Sequence, residues 1–223
     1  MPRILIMTSL ILLLWGGRAQ AATLREAFEQ AGPLNGYDRW VELETGAVYT
    51  GGLMIGRVYS PVTERFVMEE EGLDVRIVGN GAILDLRGEQ ICLSYCGRRL
   101  DISDCVITGG GVRFRGDNDP GLDLQPVGSV RHVTFYRAHD YGVRLQGAGT
   151  GITLERNLIV DTVDTGLDFV PSTGMPGPNL PTGTAIAMSV QTGSYGWPDV
   201  RENWTFFSDP ALNGDDLHHF SFL

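Results

Sequence analysis

Lysine is absent from the chain, and all 17 basic residues are arginine. No lysine general base, Schiff-base amine or Walker-type phosphate lysine is available, because each depends on a primary amine. Cysteine is scarce, at 3 in 223 residues, far below the density of a disulfide scaffold. Cys92, Cys96 and Cys105 allow one bridge in an oxidising compartment with one thiol left over, or burial as small apolar residues. Zinc at metal spacing is not expected, since the nearest histidine is His132. Long apolar runs are confined to Ile4–Trp15, which is shorter than the ~20 residues a membrane span needs. No G-x-S-x-G elbow, H-E-x-x-H helix or Walker loop occurs.

Positive charge is also in short supply: 27 acidic residues give a formal net charge of −10. Such a surface repels polyanions at long range, so nucleic acid is not an expected partner. An acidic polysaccharide needs either a local arginine cluster or bridging divalent cations, which brings calcium in as the candidate cofactor.

Arg3, the apolar run to Trp15 and Ala19-Gln20-Ala21 read as an export signal cleaved before Ala22. The expected location is therefore secreted or periplasmic, with no stable membrane span after signal removal. Residues 22–223 read as a single domain: 22–72 an N-terminal cap and first turn, 73–170 clear repeats, 171–223 irregular last turns. Thr23-Leu24-Arg25-Glu26 has the form of a capping box, and Gly32-Pro33 closes the short helix it opens. Trp40–Glu44 alternates as a half-buried strand does. Tyr59–Gly72, with Pro61 and Glu69-Glu70-Glu71, reads as an irregular excursion.

Glycine is plentiful, at 30 residues, and a short pattern recurs. Gly111-Val112-Arg113-Phe114, Gly121-Leu122-Asp123-Leu124, Gly142-Val143-Arg144-Leu145 and Gly166-Leu167-Asp168-Phe169 all read glycine, apolar, charged, apolar. Each unit includes another run, such as Leu100-Asp101-Ile102, Val130–Phe135 or Ile152-Thr153-Leu154, while Ala185–Val190 and Val200–Phe207 read as later strands. A unit of this size cannot bury its apolar face alone. Stacked strand over strand at ~4.8 Å, such units share one core, which predicts an all-β parallel β-helix rather than a sandwich. Glycine is expected at its sharp corners.

The helix Leu24–Ala31 followed by Val41–Tyr49, and Ile77-Val78-Gly79-Asn80-Gly81-Ala82-Ile83-Leu84-Asp85, resemble the opening of the exported pectin-lyase-like proteins. The resemblance runs from about Thr23 to Phe169. It implies a right-handed parallel β-helix with a short N-terminal capping α-helix. Activity does not follow from it, since that superfamily includes lyases, hydrolases, epimerases and non-catalytic surface proteins. The polygalacturonase signatures and the Asp-Pro-His-Asp motif of the epimerases are absent.

Between two inward apolar residues the charged member of the repeat points outward. Arg113, Asp123, Arg144 and Asp168 thus form a candidate ladder, with Asp85 one turn earlier; the bland alternative is an exposed row of ion pairs. Arginine can hold a uronate carboxylate bidentately, and aspartates can hold calcium. A β-elimination reading makes Arg144 the base and Arg113 the carboxylate ligand, with Asp123, Asp168 and Asp164 on calcium. A second set, His139 and Asp140 before Gly142 and Asp161 and Asp164 before Gly166, suits acid/base hydrolysis or simply turn geometry. The rival reading is a non-catalytic cell-surface module that binds glycans or proteins. Asp117-Asn118-Asp119 departs from a calcium loop at Pro120.

Overall fold

The structure is a computed structural model that describes residues 22–60, 65–69, 72–94, 98–116, 126–138, 141–146, 151–162, 188–191 and 199–206. After α1 (Leu24–Gln30) come β1 (Gly32–Leu34), β2 (Tyr37–Glu42), β3 (Val48–Thr50), β4 (Leu53–Ser60) and β5 (Arg65–Glu69). Triplets follow: β6 (Asp74–Val78), β7 (Ile83–Asp85) and β8 (Gln90–Ser94), then β9 (Arg99–Ser103), β10 (Val106–Thr108) and β11 (Gly111–Arg115). The next are β12 (Val127–Arg131), β13 (Thr134–Tyr136) and β14 (Val143–Gln146), then β15 (Ile152–Glu155), β16 (Leu158–Val160) and β17 (Met188–Gln191). The last pair is β18 (Asp199–Arg201) and β19 (Trp204–Phe206).

Each round of chain places one strand in each of three sheets. Sheet I runs β1-β2-β6-β9-β12-β15-β18, sheet II β3-β7-β10-β13-β16-β19 and sheet III β5-β4-β8-β11-β14-β17. Pairing is parallel throughout except for β1 with β2 and β4 with β5. The chain is thus all-β with one short helix, compatible with a β-helix-like fold.

The core follows from the register. In sheet I, Val41, Ile77, Ile102, Val130 and Leu154 stack on successive strands; in sheet II, Tyr49, Leu84, Ile107, Phe135 and Ile159 do so. Sheet III adds Ile55, Leu93, Phe114 and Leu145. All belong to one buried cluster, and each fully buried side chain of this kind stabilises the fold by about 1.5–3 kcal/mol. The helix joins the same cluster through Leu24 and Phe28, one turn apart on one face. Its capping box is present, with Thr23 accepting from the Glu26 amide at 3.0 Å and Glu26 accepting from the Thr23 amide at 2.9 Å. These bonds hold the Glu26 carboxyl below the usual carboxylate range.

Four readings of the sequence are corrected. Tyr59–Gly72 is not an irregular excursion, because β4 and β5 form an antiparallel hairpin across it. Val130–Phe135 is two strands in different sheets, split at His132; the stretch from Val200 is split likewise at Glu202. Of the expected strand Ala185–Val190, residues 188–190 are described and lie in β17, and 185–187 lie outside the described residues.

The fourth correction concerns the corners. Between sheets I and II the left-handed position is held by Asp104 (φ 61°), His132 (φ 53°), Arg156 (φ 54°) and Glu202 (φ 51°) in successive rounds. Glycine holds this corner only in the first two rounds, at Gly46 (φ 71°) and Gly81 (φ 80°), and the expectation of corner glycines is met between sheets II and III at Gly51, Gly88 and Gly109. A single left-handed residue costs roughly 1–2 kcal/mol, and the parallel ladders on either side offset it. Gly111 serves differently: a Cβ there would lie 2.2 Å from the Tyr141 carbonyl oxygen, so glycine permits close stacking of β11 on the next round.

Among the described residues no helix is long and apolar enough to cross a membrane. The proposed signal, residues 1–21, lies outside the described residues.

Candidate functional site

The outer face of sheet III gathers the candidate residues. Alternation along each strand turns Arg113 and Arg144 away from a core formed by Val112, Phe114, Val143 and Leu145. Parallel register sets Arg113 directly opposite Arg144, on neighbouring strands. The column continues with Cys92 and Met54 on one side and Ser189 on the other. A second column runs Gly56, Ser94, Arg115 and Gln146. Three arginines, 113, 115 and 144, thus share one face, all half-buried.

Arg144 stands with its guanidinium carbon 5.4 Å from the centroid of the Tyr141 ring, a cation–π geometry that orients it. Its Nε is buried and makes no hydrogen bond. Cys92, although on the outward side, is 2% exposed. Burial pushes its thiol up to about 11, against the opposing pull of Arg113 and Arg115. Cys105, inside the core, is pushed up to about 12 by burial, with Asp104 adding to the effect. Both thiols are free and protonated at neutral pH, so neither is an activated nucleophile.

The expected ladder of alternating arginine and aspartate is not what the register delivers. Arg144 is followed by Ser189, not Asp168, and Arg113 is preceded by Cys92. Asp85 belongs to sheet II, between Thr50 and Thr108, and not to this face. Asp161 sits at a left-handed corner, 3.8 Å from Arg137. Asp123, His139, Asp140, Asp164 and Asp168 lie outside the described residues, as does Cys96. Among the described residues no group of three or more histidine, cysteine or acidic side chains is placed to hold a metal ion. The described face offers guanidinium groups, which suit an anion better than a divalent cation.

A cluster that sequence reasoning missed lies on the outer face of sheet I. Asp101 is 3% exposed and accepts from Tyr37 Oη at 2.8 Å, from Arg99 Nε at 2.5 Å and from Ser129 Oγ. Arg99 also lies 4.8 Å from the Tyr37 ring centroid. Burial and the Asp101 hydrogen bond raise the Tyr37 hydroxyl. Every acceptor on Asp101 faces a donor, so the cluster ties Tyr37, next to the β1–β2 turn, to two later rounds. The signal for it was the outward register of Asp101 and Ser129, which becomes visible only once β9 and β12 are paired.

No protein-family model, no curated protein and no solved structure matches this chain.

Proposed function

We propose that the protein is an exported right-handed parallel β-helix of pectin-lyase-like type that binds an acidic polysaccharide on the arginine-bearing face of sheet III. The rotation of the chain through sheets I, II and III supports the architecture, and parallel crossovers are right-handed in about 98% of cases. The observation that carries the function is the register match of Arg113 with Arg144. A carboxylate received between the two guanidinium groups makes two charge-assisted contacts. A uronate polymer supplies such carboxylates in a row, and Arg115 widens the landing face. The buried, unbonded Nε of Arg144 is a donor aimed by the Tyr141 stack. In the catalytic version of this reading Arg144 takes the C5 proton of a uronate held by Arg113.

Titration calorimetry with a polyuronate oligomer and a neutral oligomer of equal length tests the reading. Binding of the uronate alone, weakened roughly tenfold in Arg144→Ala and reduced by salt, is the expected result. Equal affinity for the neutral oligomer, or no binding to either, overturns it. Absorbance at ~235 nm in the same mixtures reports unsaturated ends and so separates cleavage from binding alone.

A further inference from the structure

Five of the seven large apolar side chains exposed among the described residues share one surface. Val48, Ile83, Tyr136, Leu158 and Trp204, between 37% and 58% exposed, all lie on the outer side of sheet II. Four of them belong to a single column, Val48, Ile83, Val106, Thr134, Leu158 and Trp204, in unbroken register across six strands. Among the described residues the outward positions of these strands carry one charged side chain, Asp85. The face is a flat apolar strip about 24 Å long at the ~4.8 Å strand spacing. A strip of this kind marks an interaction surface.

Its border says what fits. The left-handed corners form a charged rail along one long side: Asp104, His132, Arg156 and Glu202, one per round. The rail is self-complementary about His132. A two-fold axis through the β13 level, perpendicular to the stacking direction, sets Asp104 of one copy against Arg156 of the other, and Arg156 against Asp104. The same rotation sets Val106 against Leu158, Ile83 against Trp204, and Thr134 against itself. The alternative face-to-face arrangement, with both copies running the same way, pairs Arg156 with Asp161 but sets Asp104 against the uncharged Gly109 corner and His132 against Arg137. We infer that sheet II is the interface of an antiparallel homodimer, its apolar columns packed together and its Asp104 and Arg156 side chains paired across the two-fold. The existing partners do not prevent this. Asp104 with His132 at 3.4 Å and Arg156 with Glu202 at 2.6 Å are exposed pairs, of the kind that contributes little alone. Its strands are three residues long, so the strip is about 10 Å wide and smaller than a standard stable interface; a weak dimer, with a dissociation constant at the upper end of the micromolar range, is expected. Sheet III faces elsewhere, so the dimer carries two separate arginine surfaces.

Sedimentation velocity of the mature chain from about 1 to 200 µM tests the inference, bracketing the affinities expected of a small interface. A concentration-dependent dimer is expected. Leu158→Asp should abolish it, Asp104→Arg should weaken it at least tenfold, and the double variant Asp104→Arg/Arg156→Asp should restore it. Circular dichroism and the urea midpoint confirm that each variant folds, and the corner tolerates arginine, as Arg156 itself shows. A monomer across the whole range overturns the inference, as does a dimer that survives Leu158→Asp. Failure of the double reversal to rescue overturns the antiparallel arrangement, and assemblies larger than two overturn the closed two-fold.

Discussion

Asn157 shows what one buried polar residue can do in a stack of short strands. It is 1% exposed. Its Oδ1 accepts from the Val133 amide at 3.1 Å, and its Nδ2 donates to the Val130 carbonyl at 2.9 Å and to Asn203 Oδ1 at 2.8 Å. Asn203 repeats the arrangement one round later, donating to the Leu154 carbonyl at 2.8 Å. The two amides satisfy backbone groups that the left-handed corners pull out of the ladder. Asn157→Leu fills the space but leaves a buried amide and carbonyl unpaired, at about 1–3 kcal/mol each. The expected result is a loss of about 3 kcal/mol by urea denaturation; an unchanged midpoint would show that water replaces the side chain. The pair could have been found in the sequence, because Glu155-Arg156-Asn157-Leu158 and Arg201-Glu202-Asn203-Trp204 share the order charged, charged, asparagine, apolar. It was hidden because the two preceding rounds place Cys105 and Val133 at the same inward corner.

At the scale of elements, the strands are three to eight residues long, so what holds each in place is its neighbour rather than its own length. Close approach then becomes a constraint on sequence. Gly111 opens β11 where the next round passes with its Tyr141 and Gly142 carbonyl oxygens 2.2 and 2.8 Å from any added Cβ. Those atoms are backbone and cannot swing aside. Gly111→Ala is therefore expected to cost about 1–3 kcal/mol, as overpacking in a close-packed interior does, and to weaken the β11–β14 ladder on which Arg113 and Arg144 depend. A thermal midpoint within a degree of the parent would disprove this. The tetrapeptide repeat was legible because glycine, apolar, charged, apolar gives both a period and a facing. It supplied β11 and β14, and with them the outward pair Arg113 and Arg144. Its other two occurrences suggested aspartates in the same column, yet β14 pairs with Met188–Gln191. Which segment returns to the stack after a long connection is decided by the fit of whole strands, and a four-residue pattern carries too little information to fix it.

Across the whole molecule the three sheets turn three different faces outward: polar and charged on sheet I around Asp101, apolar on sheet II, arginine-rich on sheet III. Burial keeps two thiols neutral, Cys105 in the core and Cys92 beneath the outer face of sheet III, and this has a pH consequence. Cys92 and Cys105 hold their protons in the folded state to about 11 and about 12, against an unperturbed 9.0. Below pH 9 neither state ionises and the stability is whole. Above it the unfolded chain loses protons that the native state keeps, so stability falls as pH rises, by up to ~1.4 kcal/mol per pH unit for each thiol. The urea midpoint should drop between pH 9 and 11, and Cys92→Ala/Cys105→Ala should flatten that drop. An identical slope in the variant would mean the thiols are hydrated.

The amino-acid sequence by itself determined the local matters. Thr23 and Glu26 start the helix, alternation about Leu100, Val112 and Ile152 makes short half-buried strands, and the absence of lysine leaves arginine as the only cation for an anionic ligand. These follow from contacts within a few residues. Only the tertiary structure decided that Val130–Phe135 bends at His132, that Asp85 faces a different direction from Arg113, and that Val48 to Trp204 form one apolar strip. Each of these depends on parallel pairing between residues roughly two dozen positions or more apart. Such pairing is selected by the combined register of three sheets and the closeness of backbones at positions such as Gly111, and no local pattern encodes it.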